Sequence, residues 1–173
     1  SNEEKIIYHY NDNNKLYEVV WYDSKDSGRT LLEYDSNGNH IKETEFDSRD
    51  SVITKTLLKY DSDGKLTEEV ECDSKDKEKM VKTINQDGSS LEKYFGDIGL
   101  IEEIHFDVKD NLTKMIDYGL GTSNERVISS ETICKYNKEG NKIEETFTDF
   151  KEKNYKTISK YDTEGKLIES VNY

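Results

Sequence analysis

The heptapeptide Tyr60-Asp61-Ser62-Asp63-Gly64-Lys65-Leu66 returns almost unchanged as Tyr161-Asp162-Thr163-Glu164-Gly165-Lys166-Leu167, and no other feature limits the fold as tightly. Variants begin at Tyr34 (Tyr34-Asp35-Ser36-Asn37-Gly38-Asn39) and at Tyr136 (Tyr136-Asn137-Lys138-Glu139-Gly140-Asn141), with looser copies at Tyr10, Ile84 and Phe106. Successive starts are 24, 26, 24, 22, 30 and 25 residues apart. A second mark, at Tyr22, Phe46, Cys72, Tyr118 and Tyr173, stands 12 residues after five of them. A period of this size means one supersecondary unit stacked many times.

A 12-residue half-period bounded by Asp, Asn, Ser and Gly is one strand plus one turn, the rhythm of an antiparallel meander. Asp or Asn after the aromatic can accept hydrogen bonds from amides two residues on, and Gly at the fifth position supplies the positive φ of a tight hairpin. The mid-repeat turns Asp23-Ser24-Lys25-Asp26, Asp47-Ser48-Arg49-Asp50 and Asp73-Ser74-Lys75-Asp76 lack that Gly and are expected to form longer, more mobile loops. Residues 1–173 read as a single array of β-hairpin repeats, with an irregular long loop around 119–128 where Tyr118 and Tyr136 are 18 residues apart. Phe95-Gly96-Asp97-Ile98-Gly99 adds an extra turn.

Composition agrees. The chain has no Ala, no Pro and one Gln, so the best helix former is missing. Twelve Tyr, five Phe and one Trp set a chain with 36% charged residues apart from disordered sequences. Counting from the first aromatic of each repeat, Leu16, Leu66, Leu112 and Leu167 share parity with Val20, Val70, Ile116 and Val171, which predicts one common face. Tyr17, Ile41, Leu91, Ile101, Ile143 and Ile168 fall on the other, so neither face is cleanly polar. The expected fold is all-β: an antiparallel meander of about fourteen short strands from ~25-residue hairpin repeats, forming a curled or extended single-layer sheet.

Chemistry is sparse. His9, His40 and His105 lie in different repeats, outside any ligand or base motif, and no catalytic residue is expected. Glu43, Glu68-Glu69, Glu102-Glu103 and Glu144-Glu145 with Lys55, Lys59, Lys82, Lys135 and Lys160 read as ladder charges on a wet sheet. Cys72 and Cys134 are expected to be buried free thiols. Asp61, Asp63 and Glu68, or Asn11, Asp12 and Asn13, offer oxygens for calcium, but without the twelve-residue ligand loop they read as turn formers. No metal and no cofactor are expected. A net charge of −13 argues against nucleic acid, and no apolar run suits membrane insertion. The candidate ligand surface is the aromatic concentration of the first repeat, Tyr8, Tyr10, Tyr17, Trp21 and Tyr22, because aromatic faces stack on sugars or receive partner side chains.

The units starting at Tyr34, Tyr60, Tyr136 and Tyr161 resemble the Tyr-Asp repeats of the RHS class, surface or secreted proteins built from Tyr-Asp-x-x-Gly-Arg-Leu hairpins. Here Lys or Asn stands in place of Arg. The resemblance implies export to the cell surface or beyond, in bacteria, and binding or encapsulating work instead of catalysis. The expected function is a non-catalytic module for binding or spacing in a larger exported protein, with a protein or glycan ligand. The alternatives are a segment of a polymorphic-toxin β-shell around an effector and a glycan-binding accessory module.

Overall fold

The computed structural model describes residues 5–12, 14–22, 28–151 and 155–173, with the backbone alone at positions 21 and 22. Every regular element among them is a strand, and strand order in the sheet is chain order throughout, each strand antiparallel to its paired neighbour. The chain divides into two units, Ser1–Lys82 and Thr83–Tyr173. The first holds β1 (Lys5–Tyr10), β2 (Leu16–Tyr22), β3 (Arg29–Tyr34), β4 (His40–Phe46), β5 (Val52–Tyr60), β6 (Leu66–Asp73) and most of β7 (Glu78–Ile84). The second holds β8 (Ser90–Gly96), β9 (Gly99–Phe106), β10 (Leu112–Leu120), β11 (Arg126–Tyr136), β12 (Lys142–Asp149), β13 (Tyr155–Tyr161) and β14 (Leu167–Asn172). Within each unit, extensive contacts run only between sequence-adjacent strands, so each is a single layer.

One turn design joins most of the strands. In the repeat that gave the fold away, the Asp61 amide donates to the Lys65 carbonyl at 2.9 Å and the Gly64 amide to the Asp61 carbonyl at 3.1 Å. The Asp61 carboxylate meanwhile accepts from the amides of Asp63 and Lys65, each at 2.9 Å. This is a type I turn closed by a left-handed residue, Gly64 at φ 79°.

The mid-repeat turns correct the expectation of longer, mobile loops. Asp47 and Asp73 make the same pair of backbone bonds, and the left-handed position is filled by Asp50 (φ 64°) and Asp76 (φ 62°). Asp tolerates this region far better than most side chains, so Gly is replaceable there. The turn at Asp23–Asp26 lies outside the described residues. Residues 119–128 are a second correction. They form the ends of β10 and β11 around the same turn, with Gly121 N–H to Glu125 C=O at 2.8 Å and Asn124 at φ 63°. The extra sequence length goes into strand, since β11 has 11 residues. Only the Gly96–Gly99 connection is shorter, a two-residue hairpin over Asp97 and Ile98.

Register overturns the parity argument about faces. Tyr60 pairs with Leu66, but Lys59 pairs with Glu68 and Leu57 with Val70, so β6 carries one extra residue beside the turn. Leu57 and Tyr60 are three apart on one strand and face opposite ways, hence Leu66 and Val70 do too. The slip recurs between His9 and Tyr10, Glu33 and Tyr34, Lys135 and Tyr136, and Lys160 and Tyr161.

The hydrophobic interior is accordingly thin. Buried apolar residues are Val19, Val20, Val70, Cys72, Ile116 and Cys134, none under 2% exposed. Val19 and Val20 are neighbours on β2, so burial occurs on both faces, beneath long neighbouring side chains and without a second layer. Both thiols are free and buried, as their strand positions suggested, and burial pushes their pKa values up.

Candidate binding surface

The first hairpin places Ile6, Tyr8 and Tyr10 at alternate positions of β1, which puts them on one face about 7 Å apart. They are 45%, 54% and 55% exposed, an unusual density of open apolar surface on one strand. Tyr8 stands directly opposite the buried Val19, which gives its ring a fixed apolar footing. Tyr17 is the extra residue of the β2 bulge, and its ring packs 6.3 Å from that of His9, whose imidazole lies 3.5 Å from Glu18. The structure thus aligns Tyr8 with Tyr10 and sets Tyr17 beside His9. Trp21 and Tyr22 pair in register with Ile6 and Lys5, and their side chains lie outside the described residues.

The turn carboxylates are occupied by their own backbone. Asp73 is held below the ordinary aspartate range chiefly by the amides of Lys75 and Lys77, and Asp107 by the Asn111 side chain and amide. Asp61 serves its own turn, and Glu68 lies 2.5 Å from Lys59, so the sequence's calcium candidates are committed elsewhere. Asn13 is outside the described residues. Among the described residues no group of three or more His, Cys, Asp or Glu is arranged to hold a metal ion. None of their helices could cross a membrane, since none is long and apolar enough.

Unit two carries a polar patch that motif reading did not single out, because its members are contributed by three strands. On one face Glu103 stands 3.5 Å from Lys93 and 4.0 Å from His105, and Lys114 lies 2.8 Å from Glu131. Burial, then repulsion from Glu103, raises the Tyr118 phenol. On the opposite face Glu102 is directly across from Asp117, whose Oδ2 accepts from Ser130 Oγ at 2.5 Å. Burial, reinforced by Asp117, pushes the Glu102 carboxyl up. Cross-strand register was the signal needed, and it becomes visible only once the bulges are placed.

No protein-family model and no curated protein matches the chain. It is similar to chains in the crystal structures of TcdB2-TccC3-Cdc42 and TcdB2-TccC3-TEV, at 14% identity and a TM-score of 0.35 in both cases. The similarity covers 91% and 96% of this chain but spans only 10% of each of those chains.

Proposed function

We propose that the chain is a non-catalytic repeat module that presents a binding face within a larger exported protein. The observation that carries this reading is the row Ile6, Tyr8 and Tyr10, exposed on a strand whose backbone is fixed by the β1–β2 register. Rigid aromatic side chains bury much area on contact with a sugar ring or an apolar partner side chain and lose little rotamer freedom in doing so. The polar groups around them support binding more than chemistry, because most are spent on the ladder: Glu33 with Lys42 at 2.6 Å, Lys59 with Glu68, and Lys135 with Glu144 at 2.6 Å. Export rests on the resemblance to Tyr-Asp repeats.

The test is a glycan array probed with the whole labelled chain, run beside a Tyr8→Ser/Tyr10→Ser double variant with unchanged far-UV circular dichroism. Glycan binding that falls at least tenfold in the variant is the expected result. Binding that survives the double substitution, or no binding to any glycan, would remove the glycan form of the reading.

A further inference from the structure

We propose that the two free edges of the array fit each other, so that a second copy of this chain adds its β1 to β14 of the first, head to tail. The argument begins with which backbone groups each edge leaves open. Tyr173 and Lys156 exchange both backbone hydrogen bonds, at 2.8 and 3.4 Å. Bonded and non-bonded pairs alternate along an antiparallel ladder, so Val171 and Glu169 also point their amides and carbonyls at β13, while Ser170 and Asn172 point theirs outward. The β1–β2 hairpin has the same turn and the same slip, with His9 opposite Glu18 as Lys160 is opposite Glu169. Ile7 and His9 therefore bond inward, and Ile6 and Tyr8 are open.

The register between repeats then selects the pairing. β2 joins β3 through Glu18 opposite Glu33, Val19 opposite Leu32 and Val20 opposite Leu31. β12 joins β13 in the same way, through Glu144 opposite Lys160 and Glu145 opposite Ser159. Carried one step beyond β14, that register sets Glu169 opposite His9, Ser170 opposite Tyr8, Val171 opposite Ile7 and Asn172 opposite Ile6 of the second copy. The open groups of one edge meet the open groups of the other without a shift.

Side chains match along the same rows. Lys135, Glu144, Lys160 and Glu169 alternate in sign across β11 to β14, and His9 followed by Glu18 continues the alternation. Ile158 and Val171 would be extended by Ile7, Val20 and Leu31 into an unbroken aliphatic row. The edges also lack the usual protection, since the chain contains no Pro and β14 carries no Lys. Such a contact is heterologous: each copy uses a different edge and keeps one of each kind free.

Sedimentation velocity on the full chain over a concentration series tests this. The wild type is expected to show a weight-average mass that rises past that of one chain. Ser170→Pro and Tyr8→Pro, each deleting one outward amide and no inward one, should each remain monomeric, whereas Ser170→Ala, which keeps the amide, should associate like the wild type. The equimolar mixture of the two Pro variants should form a dimer that grows no further, because one supplies an intact β1 edge and the other an intact β14 edge. A wild type that stays monomeric at every concentration overturns the proposal. So does association retained by either Pro variant alone, which would mean like-with-like edges or a face. If either Pro variant loses β-sheet circular dichroism, Asn172→Pro and Ile6→Pro carry the same test.

Discussion

Gly64 offers the cleanest test of how the turns work, because substitution there separates backbone strain from crowding. Its φ is +79°, and an added Cβ would meet nothing closer than Asn39 Oδ1 at 3.9 Å, an ordinary contact. The cost of a side chain is therefore conformational: about 1–2 kcal/mol for an L-residue held in the left-handed region, rising toward about 3 kcal/mol for a β-branched one. Asn should cost less than about 0.5 kcal/mol, since Asn14 and Asn124 occupy the equivalent position at φ 58° and 63°. The expected order of stability is Gly64, then Gly64→Asn, Gly64→Ala and Gly64→Val. With a urea m-value of about 2 kcal/mol/M, Gly64→Val should lower the midpoint by about 1 M. Far-UV circular dichroism across a urea series at fixed pH reads this directly. Gly28 is the control, because its Cβ would stand 2.7 Å from the Phe46 carbonyl oxygen. There the obstacle is steric, so Ala and Asn should both destabilise. A neutral Gly64→Val, or a Gly64→Asn as damaging as Gly64→Val, would refute the account of the turn.

Thr44 is 3% exposed and its Oγ1 has no hydrogen-bond partner, so Thr44→Val should stabilise by about 1 kcal/mol in the same assay; a loss of that size would mean the hydroxyl is satisfied. Asp73, lowered chiefly by the Lys75 amide, binds its proton less readily folded than unfolded, so its contribution is present above the unfolded aspartate pKa and is lost as pH falls through the folded value. Asp73→Asn, which keeps an accepting oxygen as Asn137 does in its own turn, should flatten the decline of the urea midpoint on acidification from pH about 5. Glu102 has the opposite sign: its raised carboxyl costs stability as pH climbs from the unfolded glutamate pKa to the folded one. Glu102→Gln should therefore raise the midpoint at neutral pH and leave it unchanged where Glu102 is already protonated.

Strand number, strand order and the turn frame were legible because each has a local cause: an aromatic that ends a strand, an Asp or Asn whose oxygen caps the next amides, and a residue that accepts positive φ. The turn at Asp47–Asp50 was misjudged because Asp50 can fill the position that Gly64 fills, and sequence alone does not say which Asp does so. Faces were misassigned at Leu66 for a different reason. A single extra residue beside the turn reverses every later side chain on the strand, and nothing in the spelling of Lys65-Leu66-Thr67 marks it. The candidate surface was half legible: Tyr8 and Tyr10 share a strand face as parity predicts, whereas Tyr17 falls on the bulge and turns to His9. The Glu103 and Glu102 patches needed pairing across strands, which follows from register and not from spacing along the chain.

The central claim is that each unit is one layer with both faces wet, and solvent paramagnetic relaxation of methyl groups tests it most directly. Leu57 and Ile6 lie on opposite faces of the first unit and are 37% and 45% exposed. Ile133 and Ile168, at 37% and 64%, provide the same comparison in the second. A soluble gadolinium chelate added to methyl-labelled protein should broaden all four, with Val20 and Ile116 much less affected. Protection of Leu57 and Ile133 together with broadening of Ile6 and Ile168 would place a second layer over one face and contradict the account.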